Sequence, residues 1–210
     1  MERFRVEVIS STPNPQQTVY AAMHQDYAEE FVWDQRAEWP TEEKAGKLII
    51  RNLLKGGRGH YGPLEHPQIV LNCGFFPHST MQQIRTHRVG LSFDVQSFRY
   101  TGSRIVNVAE GKADVEDVFY LRPVGAYTDR QGKKYEYTKD VRQQDLDWCI
   151  EGCKRYKQRI DQGFSEEHAR GLIPFDVRQH WVLSANARSL MHLLDLRWKA
   201  DAQLEAQKLC

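Results

Sequence analysis

No apolar run in this sequence approaches the roughly 20 residues that a membrane-crossing helix needs. The opening stretch, MERFRVEVISS, lacks the apolar segment of a signal peptide. Charge of one sign is also missing: 29 Lys and Arg stand against 28 Asp and Glu, a net charge of +1. No global field therefore draws the chain to nucleic acid or to an anionic membrane. Cysteine is scarce, at Cys73, Cys149, Cys153 and Cys210. Only Cys149 and Cys153 are close, and CxxxC is neither the usual zinc nor the usual redox spacing. On a helix that pair shares a face and packs. The eight histidines form no HExxH and no HxH, so no metal is expected. There is no internal repeat, low-complexity segment or linker. Residues 1–210 read as one domain of a cytoplasmic protein.

Against that neutral background one stretch is cationic: RTHRVGLSFDVQSFRYTG, residues 85–102. Arg85, His87, Arg88, Ser97, Arg99 and Tyr100 crowd into it, and clustered guanidiniums fit a multiply charged anion such as phosphate. Pro77 starts a helix over HSTMQQIRTHR, residues 78–88, which sets Gln82, Arg85 and Arg88 one turn apart. A helix C-terminus itself favours cations, which accounts for one or two of these residues but not for Ser97, Arg99 and Tyr100.

The remaining elements follow from periodicity and caps. Strands are expected over 4–9, 67–76, 114–121 and 175–185. A helix over 15–36 shows Val19, Ala22, Met23, Tyr27 and Phe31 as its core stripe, and a second begins at Pro40-Thr41-Glu42-Glu43. Lys55-Gly56-Gly57-Arg58-Gly59 lacks the GxxxxGK[ST] pattern and stops that second helix. Residues 125–134 read as a polar turn region. A long amphipathic helix covers 139–162, with Leu146, Ile150, Cys153 and Tyr156 inward, and short helices begin at Ser165 and at residue 201.

Asn186 is the N-cap of a helix over 186–197 whose core side is Ala187, Leu190, Met191 and Leu194. At about 100° per residue Arg188 and His192 share a face, while Arg197 points roughly the other way. Two polar faces fit two ligands, or two copies of one site at a subunit interface. From geometry alone a surface helix with solvated arginines is the commoner case. Arg170, ahead of Leu-Ile-Pro, is either a phosphate ligand or a helix-end cation.

Arg85-Thr86-His87-Arg88, eight residues, then Ser97 and Arg99-Tyr100, resembles the signature of the flavin-dependent thymidylate synthases. So do Glu65-His66 before a strand, Gln82, Arg170, Asn186-Ala187-Arg188-Ser189-Leu190, Leu196-Arg197 and Ala202-Gln203-x-Glu205. Thr86 is inserted in the RHR element, Phe98 replaces a glycine, and Val95 or Gln96 stands where many members carry glutamate. The resemblance implies an α+β fold: one mixed domain whose central, largely antiparallel sheet is flanked by helices. It also implies a homotetramer with sites shared between subunits. The activity it implies is conversion of dUMP to dTMP, with FAD, 5,10-methylenetetrahydrofolate and NADPH. It assigns His66, Arg85, His87, Arg88, Asn186, Arg188 and His192 to the cofactor, and Gln82, Arg85, Gln96, Ser97, Arg99 and Arg170 to dUMP. Arg197 would stabilise charge spreading over the uracil. Ser97 is then a nucleotide ligand and not a nucleophile.

Other readings remain open on the residues. One is a relative that acts on UMP or installs a hydroxymethyl group. Another is a nucleic-acid module that uses Arg85, Arg88, Arg99 and Arg104 with Phe98 and Tyr100, which the neutral net charge opposes. A third is an inactive family member kept for assembly.

Overall fold

The computed structural model describes residues 3–57 and 59–210; Met1, Glu2 and Arg58, the last within the glycine stop, lie outside the described residues. Its strands are β1 (Arg5–Ser11), β2 (Gln68–Pro77), β3 (Leu91–Val95), β4 (Gly125–Thr128), β5 (Lys134–Tyr137) and β6 (Arg178–Asn186). Four of them form an antiparallel sheet in the order β1, β2, β6, β3, and β4 pairs with β5 in a separate hairpin.

Side chains alternate across the sheet as the pleat requires. Val6, Cys73, Trp181 and Val95 lie in one cross-strand row, and Glu7, Asn72, Val182 and Asp94 in the next. The first side carries a core of Cys73, Phe76, Met81, Trp181 and Leu183. Helices α3 (His78–Arg85), α8 (Ala187–Arg197) and α9 (Leu204–Leu209) cover this side through Ile84, Leu193 and Ala206. On the second side Glu7, Asn72 and Asp94 stay exposed. Two further cores lie beside the sheet. Helices α1 (Pro15–Gln25) and α2 (Glu42–Ile49) bury Val19, Met23, Ile49 and Leu53 with Leu64. Helices α4 (Ser103–Ala109), α5 (Val115–Val118), α6 (Lys139–Asp161) and α7 (Glu166–Ala169) enclose Ile105, Val118, Cys149, Cys153 and Tyr156. Burial pushes the thiols of Cys149 and Cys153 up to about 12, which suits the packing role read from their spacing.

Several expectations are corrected. The helix expected over 15–36 stops at Gln25, whose side chain accepts from Val32 N at 3.2 Å and donates to Glu30 O at 3.4 Å. Those local bonds hold a loop that leads into a 3-10 helix, Val32–Glu38. Tyr27 and Phe31 are consequently 64% and 66% exposed and not core. The strand expected over 114–121 is a helical turn, because the Asp114 carboxylate accepts from Glu116 N at 2.7 Å and caps α5. Only the Phe119–Val177 bridge survives of it. The polar region over 125–134 contains β4 and leads into β5, with the turn held by Asp129 accepting from Gln131 N and Lys133 N, each at 2.8 Å. Strand β3 and helix α4 have no counterpart in the sequence reading.

Two corrections touch the cationic stretch. Helix α3 ends at Arg85, where the Thr86 hydroxyl donates to Gln83 O at 2.7 Å, so Arg88 lies beyond the helix and not one turn from Arg85. In α8 the buried residues are Ser189 and Leu193, while Met191 is 43% exposed. Leu190 packs against the core as expected, while Met191 faces a cavity.

Candidate active site

Asn186 ends β6 and caps α8, its Oδ1 accepting from Ser189 N at 2.8 Å. This strand-to-helix turn packs against Gly90, whose φ of +68° opens the close approach of the chain just ahead of β3. A Cβ there would lie 2.1 Å from Ser189 Oγ and 2.5 Å from Asn186 Nδ2. Beside the turn opens a cavity of about 790 Å³. Leu54, Leu64, Val89 and Met191 give it apolar walls, and Asn186, Arg188 and His192 give it polar ones. Arg188 and His192 thus share the cavity, in keeping with their i,i+4 spacing. Glu65, which the sequence reading noted without a role, pairs with Arg188 at the cavity edge. His66 is exposed at the end of the 3-10 helix Gly62–Glu65 and is not among the lining residues.

His87 is the node of the cationic stretch. Arg197 Nε donates to His87 Nε2 at 3.0 Å, and the His87 and His192 rings meet edge-on with centroids 5.9 Å apart. Burial, then the charges of Arg197 and His192, hold the His87 pKa below the ordinary 6.5. A neutral imidazole is what the contact requires, since a guanidinium only donates. Arg197 and His192 thus both reach one imidazole from α8. Arg85 and Arg88 are exposed on either side of His87.

The nucleotide candidates lie at the other end of the β3–β6 pair. Leu91 faces Ala185 near the Asn186 turn, and Val95 faces Trp181 at the far end. Gln96 follows with its N donating to His180 O at 2.9 Å, and its Oε1 is buried without a partner. Ser97 Oγ accepts from Arg99 N at 3.3 Å, and Arg99 pairs with Glu167 at 3.0 Å. Gln82 Nε2 lies 3.0 Å from His78 Nε2. His78, Phe98, Arg170 and Phe175 line a smaller cavity of about 270 Å³. Behind Phe98, at 5.2 Å from the ring centroid, sits the Arg104 guanidinium, which burial pulls down to about 10. Arg104 Nη1 donates to Arg178 O at 2.7 Å. His78 and His180 were not singled out from sequence. Nothing in their spacing signals them, because sheet register alone places His180 beside Gln96.

The Ala202-Gln203-x-Glu205 segment is a brace. Glu205, 2% exposed, accepts from Arg122 Nε at 2.7 Å and Nη2 at 3.1 Å, and from Tyr120 OH at 3.2 Å. Gln203 Nε2 reaches Glu205 Oε2 at 3.0 Å, Ser79 Oγ at 3.2 Å and Thr80 Oγ1 at 3.3 Å. The brace therefore fixes the start of α3, the helix that presents Gln82 and Arg85.

Among the described residues Arg85, Arg88, Arg170 and Arg197 have no carboxylate partner. Arg170 lines the smaller cavity and Arg188 the larger, apolar-walled one, and guanidiniums beside apolar walls suit phosphate esters with aromatic bodies. The family described as thymidylate synthase complementing protein, Thy1, matches residues 7–210. The flavin-dependent thymidylate synthase of Halobacterium salinarum is 33% identical, over 98% of this chain and 87% of its own. That of Haloarcula marismortui is 30% identical, over 97% and 86%. The chain belongs to the flavin-dependent thymidylate synthase family. Its fold is that of ThyX from Helicobacter pylori, a crystal structure with FAD and dUMP, at TM-score 0.72 and 18% identity over 98% of this chain and 89% of that one. The UMP/dUMP methylase PolB from Streptomyces cacaoi, bound with 5-Br dUMP, superposes at TM-score 0.65 and 23% identity over 94% and 79%.

Proposed function

We propose that this chain methylates dUMP to dTMP with FAD, using 5,10-methylenetetrahydrofolate as carbon donor and NADPH as reductant. The observation that carries the reading is family membership over residues 7–210 together with a large, mainly apolar cavity at the Asn186 turn. The cavity suits the cofactor: its volume lies in the range of ligand sites, its apolar walls accept a ring system, and Arg188 offers a guanidinium to a phosphate. Once bound and reduced by NADPH, the flavin would supply the electron pair that turns a transferred methylene into a methyl group.

The chain's own residues hold and polarise. Asn186, Arg188 and His192 bind the cofactor from α8, with Arg85, His87, Arg88 and His66 on its other sides. His87 accepts from Arg197 Nε, which leaves the terminal amino groups of Arg197 for the uracil. There the fixed cation stabilises negative charge spreading from the ring nitrogen as carbon 5 is substituted. Gln82, Arg85, Gln96, Ser97, Arg99 and Arg170 bind dUMP, the arginines at its phosphate.

Five residues of β3 separate the Asn186 turn from the Ser97 turn, a strand span of about 17 Å. Cofactor and nucleotide residues at opposite ends of one strand fit a site that a second subunit completes. This supports the homotetramer. The working unit is a single domain, 1–210, in the cytoplasm; no helix among the described residues is long and apolar enough to cross a membrane.

A spectrum of the purified protein tests the reading. Flavin bands that shift when dUMP is added support it. A protein that carries no flavin and takes up no added FAD contradicts it. The fold shared with PolB favours one second reading, UMP as substrate. Turnover of UMP against dUMP separates the two, and product mass separates a methyl from a hydroxymethyl group.

A further inference from the structure

Helix α8 turns one face to the large cavity, and polar residues of three kinds stand along it. Arg188, His192 and Asp195 are spaced i, i+4 and i+7, and all of them line the cavity. At about 100° per residue they fall within an arc of about 60°. A cation, an imidazole and a carboxylate thus follow one another on a single face. The Asp195 side chain is 73% exposed, and its ion pair with Lys199 spans 3.7 Å, too long for a hydrogen bond. Its oxygens therefore have room for a donor. Arg188, the guanidinium of this wall, is already paired with Glu65. A second carboxylate on the same wall opposes a phosphate. Its complement is a neutral donor, because a carboxylate only accepts, and a pair of neighbouring hydroxyls supplies one donor for each of its oxygens.

We propose that Asp195 is a further cofactor-binding residue, whose carboxylate accepts from the hydroxyls of a polyol segment of the cofactor. The α8 face then carries a guanidinium for a phosphate and, about two turns on, a carboxylate for the sugar-like chain attached to it. FAD has two such segments, the ribityl chain beside the flavin ring and the ribose beside the adenine, and both offer the same chemistry. An acidic side chain on sugar hydroxyls is a recurrent device of dinucleotide sites. This inference rests on the proposed cofactor.

Charge alone predicts the opposite of this proposal, since removing a carboxylate near a phosphate tightens the binding of an anion. Calorimetric titration of flavin-free protein with FAD, riboflavin and ADP separates the two. Asp195→Ala should bind FAD about 10- to 100-fold more weakly, the scale of hydrogen bonds to a charged acceptor. Asp195→Asn keeps one acceptor oxygen and should lose less. Lys199→Ala, which removes only the long ion pair, should bind FAD as wild type does. In Asp195→Ala a loss confined to riboflavin assigns the ribityl chain to Asp195, and a loss confined to ADP assigns the ribose. Loss of both fragments or of neither overturns the proposal. Unchanged or tighter FAD binding in Asp195→Ala overturns it too, as does an equal loss in Lys199→Ala. A wild-type protein that takes up no FAD overturns the cofactor reading itself, a result the variants do not mimic.

Discussion

Arg197 and His87 stand 110 positions apart in sequence, yet Arg197 Nε–H points at His87 Nε2 across 3.0 Å. The signature stretch and the last long helix are thereby joined through one hydrogen bond. The imidazole accepts, so it is neutral, and its Nδ1 carries the proton. The same ring meets His192, which lines the large cavity. A side chain assigned to the uracil and one assigned to the cofactor thus share a neighbour.

Arg197→Ala should retain FAD and lose dUMP turnover by about 100- to 1,000-fold in kcat, the scale for removing a preorganised charge. Arg188→Ala should do the reverse and weaken FAD binding about 10- to 100-fold. Flavin retained on gel filtration and steady-state kinetics check the pair. Equal flavin loss in both variants would falsify the division of labour.

Activity should fall on the acid side as His87 titrates, because a protonated ring turns a donor toward Arg197 and breaks the contact. Burial, Arg197 and His192 all hold its pKa below 6.5, so the fall begins below that value. Stability follows the same sign. His78, His87 and His180 are each lowered, chiefly by burial. As pH drops from 6.5 the unfolded chain takes up protons first, so stability is full above 6.5 and declines through the lower folded values. Urea midpoints between about pH 5 and about pH 8 read it. A flat profile would contradict the burial of these rings.

Removing Arg122 leaves the buried Glu205 carboxylate without its cation. Arg122 is 30% exposed, so the loss is set at about 2–4 kcal/mol, below the full cost of breaking a buried pair. Arg122→Met should lower the melting temperature by about 5–12 °C. Glu205→Gln, neutral and alike in shape, should cost less. The reverse ranking would contradict the account, because a change that keeps the shape and leaves no buried charge unpaired would then be the costlier one.

Gly90→Ala is strained twice. The φ of +68° costs a non-glycine residue about 1–2 kcal/mol. The new methyl group would also displace Ser189 and Asn186, which lie 2.1 and 2.5 Å away. The α8 cap should loosen and FAD binding should weaken by at least about tenfold, with far-UV circular dichroism little changed. Unchanged FAD affinity would remove the Asn186 turn from the cofactor site.

What the sequence made legible is what local chemistry decides. Asn186 caps α8 because its side chain reaches Ser189 N, three residues on. Helix α6 and strands β2 and β6 show their periodicity over long enough spans to be read. Residues 114–121 alternate like a strand but form a turn, because one carboxylate, Asp114, caps it. The helix from residue 15 ends well before its apolar pattern does, because the amide of Gln25, at its end, bonds loop backbone. Pairings across the fold left no local trace: His87 with Arg197, Glu65 with Arg188, and His78 with Arg170 around one cavity. Strand β3, Leu91–Val95, is only five residues long, too short a span for its alternation to stand out between the polar stretches around it.

The central claim is that this chain makes dTMP from dUMP on a bound flavin. The most direct test is the mass of the nucleotide formed when the FAD-loaded protein is given dUMP, 5,10-methylenetetrahydrofolate and NADPH. A methylated deoxynucleotide, formed only when all three are present, is the expected product. Unchanged dUMP from a protein that retains FAD and binds the nucleotide would contradict the account.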